Sequence, residues 1–515
     1  MLRNTRLLAG AVALAISLPV AGMAAPTKAP PKRPPMRVPA RFPDSVTHGS
    51  VVVHGQTIHY TARAGTITLH NEANQPTARI FYVAYTKDGA QPNNRPVTFF
   101  YNGGPGSSTM WLNMGSFGPV RVISGSGTLT GPPPYRIVPN GYTLLDKTDE
   151  VFIDMPDSGF GRIIGAGKPK MFFGVDQDAR AFAQFVQNYL GKFGRWNSPK
   201  YLFGESYGTT RDAALAADLQ QDGVGLNGVV FQSSILNFNL DWSVNFGYVP
   251  AAVGGGDWGF VLYFPTEAAT AWYHHTVPNR PAHLRPFLAR VQRFAMGPYL
   301  TALAQGDALP QSQKMSIAQK IHEYTGLSLQ YILNANLRIP YGRFENQLLR
   351  NSGKIVGRLD SRYETTTIDG NQASAPWDPT DAAIDDPFTA AVNQYLRETL
   401  KYNPPIPYRS SVYSIIAKNG GWNWKHNGMQ PTNVAPDIAF AMTNEPSMKV
   451  FVAMGYYDFA TPYEAALYTF EHLGIPPSLQ RNITYRYFRV GHMIYLNPQS
   501  LANYQRDLDA WYSAP

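Results

Sequence analysis

The pentapeptide Gly204-Glu205-Ser206-Tyr207-Gly208 carries the strongest chemical signal in the chain. It follows the apolar run Tyr201-Leu202-Phe203 and precedes an alanine-rich stretch, Asp212 to Leu219, that reads as a helix. Strand, sharp turn and helix in that order, with a glycine on each side, leave a serine hydroxyl exposed on a strained turn, where it acts as a nucleophile. Such a hydroxyl is weak until a base takes its proton, so a histidine must reach it and a carboxylate must orient that histidine.

Seven of the 11 histidines follow Ser206: His274, His275, His283, His322, His426, His472 and His492. In this arrangement the acid comes after the serine and the histidine last, and only His472 and His492 lie beyond the last plausible acid. His472 closes a helix that starts at Tyr463, an exposed helix-end position. His492, in Val490-Gly491-His492-Met493, comes straight after a strand that ends at Arg489, where a loop at the sheet edge aims its imidazole at the serine turn. Asp458, in Gly455-Tyr456-Tyr457-Asp458, follows the strand Lys449 to Met454 in the same way. The expected set is Ser206 as nucleophile, His492 as base and Asp458 as its orienting acid.

A tetrahedral intermediate needs backbone donors for its oxyanion. One is the amide of Tyr207, the residue after the nucleophile. The second belongs to an earlier loop, and Asn102-Gly103-Gly104-Pro105-Gly106-Ser107-Ser108 follows the strand Val97 to Tyr101 with enough glycine for close backbone approach. Such a loop also suits phosphate, but no lysine follows in the P-loop pattern.

These loops need a sheet to hold them. Val51 to Val53, Thr66 to Leu69 and Ile80 to Val83 alternate with turn residues and predict antiparallel strands. Apolar runs at Val97 to Tyr101, Val151 to Asp154, Lys200 to Phe203 and Gly228 to Gln232, with helical or loop material between them, predict a mainly parallel sheet. Phe182, Phe185, Val186, Tyr189, Leu190 and Phe193 mark one buried helix face. From about Ser234 to Pro405 the alternation stops and the sequence turns aromatic-rich and helical. The sheet pattern resumes with strands at Lys449 to Met454 and Thr484 to Arg489 and helices at Tyr463 to His472 and Gln499 to Trp511. The expected division is 44–234 and 406–515 for one core and 235–405 for a helical insertion.

The 515 residues include 44% hydrophobic and 15% charged residues, a globular composition. Residues 1–24 read as an export leader, with Arg3 and Arg6 before an apolar run from Leu7 to Val20 and a cleavage site after Ala24. Residues 25–43 form a proline-rich arm with Lys28, Lys32, Arg33, Arg37 and Arg41, read as an extended spacer. No other stretch is apolar enough to span a bilayer. Cysteine is absent, so an exported chain of this kind rests on core burial alone. The formal charge of +9 comes with no nucleic-acid motif. His274-His275 lacks the spacing of a metal site, so none is expected.

Asn102 to Ser108, Gly204 to Gly208, Asp458 in its Gly-x-x-Asp context and Gly491-His492-Met493 together resemble the serine carboxypeptidase family, peptidase family S10, of bacterial type. Phe152-Ile153-Asp154-Met155-Pro156, with Gly159 and Gly161, is similar to that family's second strand and loop. The resemblance covers roughly 95 to 235 and 445 to 515 and leaves the insertion outside it. It implies an α/β-hydrolase fold with a helical cap and a cofactor-free peptidase acting on peptides with a free C-terminus. It also assigns Gly104 and Tyr207 to the oxyanion, and Asn102 and Glu205 to the substrate's terminal carboxylate. A carboxyl facing a carboxylate must keep a proton, which implies an acidic optimum. Three departures stand out. Ser107 replaces a cysteine found in eukaryotic members, and Ser116 stands where many members pair an acid with the glutamate. Arg211 sits where small residues are usual, as a local variation of a bacterial branch.

Two other readings fit the same residues: an esterase, amidase or acyltransferase acting on substrates without a free carboxylate, and a catalytically silent binding protein on the same scaffold. Trp258, Tyr263, Trp272 and Tyr273 are candidates for a side-chain pocket, with plain core as the blander alternative.

Overall fold

A computed structural model describes residues 42–240 and 256–514. The stretch read as a leader and most of the proline-rich arm therefore lie outside the described residues. Nine strands follow one another across one sheet: β1 (Ser45–Val53), β2 (Gln56–His70), β3 (Pro76–Lys87), β4 (Val97–Tyr101), β5 (Asp149–Ile153), β6 (Lys200–Glu205), β7 (Gly228–Gln232), β8 (Lys449–Gly455) and β9 (Ile483–Phe488). Their order is β1-β2-β3-β5-β4-β6-β7-β8-β9, and the short strand Arg162–Ile163 pairs with β3. The pairs β1–β2, β2–β3 and β3–β5 are antiparallel, and every later pair is parallel.

Both faces of the parallel part are covered, which explains its near-continuous apolar runs. Along β8, Val450, Val452 and Met454 enter one core, and Phe451 and Ala453 enter the other. Helix α1 (Met110–Gly115) follows the loop after β4, and on the first face lie α2 (Val175–Phe193) and α3 (Tyr207–Gln221). The apolar stripe expected on α2 packs there through Phe182, Phe185, Val186, Tyr189 and Leu190. Each such side chain contributes roughly 1.5–3 kcal/mol by leaving water, and the helix stops at Gly194, in the left-handed region at φ 64°. The C-terminal helix, Pro498–Ser513, seals the opposite face with Leu501, Tyr504, Leu508 and Trp511.

Between β7 and β8 the chain leaves the sheet. The described part of this excursion is mostly helical, including Asp257–Tyr273, Leu284–Phe294, Gln311–Thr325 and Pro379–Gln394, with one small hairpin, Lys354–Val356 against Glu364–Thr366. Its aromatics are packing groups: Trp258 contacts Tyr468, Tyr263 stacks on Tyr341, and Trp272 lies under Arg280. Among the described residues, no helix is long and apolar enough to cross a membrane.

Candidate active site

Ser206 stands between β6 and α3 at φ 63° and ψ −130°, a region that L side chains rarely adopt. The turn closes because both flanking residues lack a side chain. A Cβ on Gly204 would lie 2.3 Å from the Gly208 carbonyl oxygen, and one on Gly208 would lie 2.9 Å from that of Tyr101. Ser206 N donates to the Gln232 carbonyl at the end of β7 (3.0 Å), which ties the turn to the neighbouring strand.

His492 Nδ1 lies 2.8 Å from Asp458 Oδ2. The carboxylate also accepts from Ala460 N (2.8 Å), Thr461 N (3.0 Å) and Thr461 Oγ1 (2.7 Å). Occupying Nδ1 leaves Nε2 as the nitrogen able to take a proton. Burial alone would lower the basicity of His492. The Asp458 carboxylate more than reverses this, and the net shift is upward. His492 N donates to Leu359 O (2.7 Å) and its carbonyl accepts from Ser233 Oγ (2.6 Å), so the loop is held from both sides. Ser206, His492, Glu205, Asn102 and Gly104 line one cavity of about 630 Å³. His472, the competing histidine, stacks on Tyr468 and lines no part of it.

Tyr207 opens α3, so its amide has no partner within the helix and lies at the positive end of the helix dipole. The glycine loop reaches this amide: a Cβ on Gly103 would lie 2.4 Å from Tyr207 N. A late segment clamps the loop on its other side, with Ser108 N donating to Ser410 O (2.9 Å) and Val412 N to Gly106 O (2.8 Å). Ser107 pairs with Ser411 in this bridge.

Glu205 is buried. Its Oε1 accepts from Asn102 Nδ2 (2.8 Å) and its Oε2 from Gln232 Nε2 (2.7 Å). Burial pushes this carboxyl up to about 7, against the opposing pull of His492. Ser116 instead donates to Leu112 O. Sequence reasoning missed Gln232. Its signal is position: a polar residue ending an apolar strand at the carboxyl edge of the sheet, where open α/β sheets build their sites. Arg211 is an internal strut. It is buried, pairs with Asp178 at 2.7 Å, donates to Asn102 O at 2.9 Å and lies 4.1 Å from the Phe182 ring centre.

Among the described residues, one group has ligand-like spacing for a metal, His54 with Asp146 and Asp509, and none of the three lines this cavity.

The sheet, the nucleophile turn and the order of its loops define the α/β-hydrolase fold. The structure is similar to that of KEX1(delta)p, a prohormone-processing carboxypeptidase from Saccharomyces cerevisiae, with a TM-score of 0.51 over 88% of this chain and 91% of that one at 15% identity. Residues 55–237 match the family model Peptidase_S10, serine carboxypeptidase. The chain is 26% identical over 169 residues to the pheromone-processing carboxypeptidase KEX1 of Cryptococcus gattii, which is 32% of this chain and 24% of that protein. It is 26% identical over 181 residues to serine carboxypeptidase-like 36 of Arabidopsis thaliana, 34% of this chain and 35% of that protein. The chain thus spans about a quarter to a third of the length of these relatives. The likeness to serine carboxypeptidases thus lies in residues 55–237, and the likeness over the rest of the chain is one of fold.

Proposed function

We propose that this chain is a serine-type carboxypeptidase. Ser206 Oγ attacks the last peptide carbonyl and gives its proton to His492 Nε2, while the amides of Gly104 and Tyr207 hold the oxyanion. His492 returns the proton to the leaving amine, and the terminal residue departs. A water deprotonated by His492 then releases the acyl group from Ser206. Asn102 and a protonated Glu205 hold the terminal carboxylate, which selects the end of the chain. No step needs a cofactor. The core at 44–234 and 406–515 carries the reaction beneath a cap at 235–405, and the leader composition supports export to a bacterial periplasm or medium.

The observation that carries this reading is the 2.8 Å contact of Asp458 with His492 on the cavity that Ser206 shares. Its test is a blocked dipeptide offered with a free and then an amidated C-terminus. The free acid is expected to have the higher kcat/KM. An equal or higher value for the amide overturns the reading in favour of an amidase, esterase or acyltransferase.

A further inference from the structure

The excursion from the sheet builds part of the cavity wall. Arg358 O accepts from Phe459 N (3.0 Å), Leu359 O accepts from His492 N (2.7 Å), and Ser361 N donates to Tyr457 O (2.9 Å). Behind this segment Asp378 receives the amides of Arg358 (3.1 Å) and Leu359 (2.8 Å). The backbone of the segment is thus fixed to the loops of both Asp458 and His492, which sets where side chain 358 starts.

Arg358 is half-buried and lines the cavity with Ser206 and His492, where it is the one lysine or arginine among the lining residues. Its guanidinium donates to the Tyr341 hydroxyl and interacts electrostatically with Tyr263, Asp378, Asp381, Glu345, Tyr413 and His492, while Glu205, Asp381 and Asp385 are the carboxyl groups on the same cavity wall. Among the described residues, no carboxylate comes within 4.0 Å of its guanidinium. Asp381 and Glu345 are weak counter-charges, because burial pushes Asp381 up to about 7 and Glu345 well above the carboxylate range. Asp378 spends its oxygens on backbone amides.

A guanidinium in this position is suited to a carboxylate, with which it forms charge-assisted and often paired hydrogen bonds. The leaving amine takes its proton from His492, so the leaving residue lies on the His492 side of the cleft, which is also the side Arg358 occupies. We propose that Arg358 binds a carboxylate of the leaving residue and gives the cleft a preference for anionic leaving residues. The carboxylate is either the terminal one or an acidic side chain. This rests on the carboxypeptidase reading and adds a specificity determinant to it.

The test uses four blocked dipeptides, with glutamate or glutamine as the leaving residue, each as free acid and as amide, against wild type, Arg358→Gln and Arg358→Lys. The expected result is a rise in KM of about 10- to 100-fold in Arg358→Gln, as for loss of a charged hydrogen bond, with kcat little changed and partial recovery in Arg358→Lys. A loss shared by both free acids and absent from both amides assigns the terminal carboxylate. A loss confined to the two glutamate peptides assigns the side chain. The same change in all four peptides, or none in any, overturns the proposal. The rate of phosphonate labelling at Ser206 shows whether Arg358→Gln keeps its active site, and a uniform loss with slowed labelling makes Arg358 structural and also overturns it. A wild-type preference for the amides sinks the carboxypeptidase reading instead, and the two amides still test the side-chain contact.

Discussion

Asp458 and His492 meet at 2.8 Å although 34 residues separate them, because each follows the carboxyl end of a strand and those strands, β8 and β9, are parallel neighbours. Parallel pairing brings the two loops to the same edge of the sheet, and the α3 end of β6 brings Ser206 to that edge as well. Asp458→Asn keeps this geometry and favours the wrong imidazole tautomer. The expected outcome on a blocked dipeptide is a kcat lower by about 10³–10⁴-fold with KM little changed. A loss below tenfold contradicts the role given to the carboxylate.

On the proposed function, Glu205 is expected to set the pH dependence of binding. Its carboxyl, pushed up to about 7 by burial, must hold a proton to donate to the terminal carboxylate of a substrate. KM for a free-acid peptide is therefore expected to rise as pH climbs through about 7, and KM for the amidated peptide is not. Activity on both substrates is expected to fall on the acid side, as His492 takes up a proton. Glu205→Gln is expected to abolish the rise, and an unchanged pH profile of kcat/KM rules out the explanation.

Gly491 is fixed by a close approach. A Cβ there would lie 2.4 Å from both Asp360 Cα and Leu359 O, backbone atoms that no rotamer change can move. Gly491→Ala is expected to displace the His492 loop, lower kcat/KM by on the order of 10²-fold and cost about 1–3 kcal/mol of stability. Denaturant unfolding and steady-state kinetics measure the two effects, and a variant with wild-type values in both refutes the close approach.

The convergence of Ser206, Asp458 and His492 on one edge of the sheet was legible in the sequence because each follows an expected strand. The stripe on α2 was legible because six apolar residues keep helical spacing. Arg358 to Ser361 was not, since its bonds to the triad loops span more than 90 residues and nothing in its local pattern encodes them. Gln232 escaped because an amide ending a strand looks the same whether it meets water or Glu205. Arg211 looked like a departure after the elbow, and its partners on α2 and the glycine loop became visible only once those elements were packed together.

His426 links stability to pH. It bridges Asp176 in the first turn of α2 (2.7 Å) and Asp437 in the first turn of Ala435–Asn444 (2.9 Å). Burial opposes its charge, but the two carboxylates prevail and raise its pKa from 6.5 to about 9. A folded value above the unfolded one stabilises the protein fully below pH 6.5, and the gain is lost as pH rises through about 9. Tm is expected to decline over that window, and Glu or Asp titration does not overlap it in the unfolded chain. His426→Gln is expected to flatten the decline; an identical slope in the variant shows that other groups cause it.

The most direct test of the account is labelling with a serine-directed phosphonate followed by peptide mapping. A single adduct on Ser206, missing in Ser206→Ala and formed far more slowly in His492→Gln, is the outcome expected of a hydroxyl activated by that imidazole. Modification at another residue, or labelling of Ser206→Ala as fast as wild type, contradicts it.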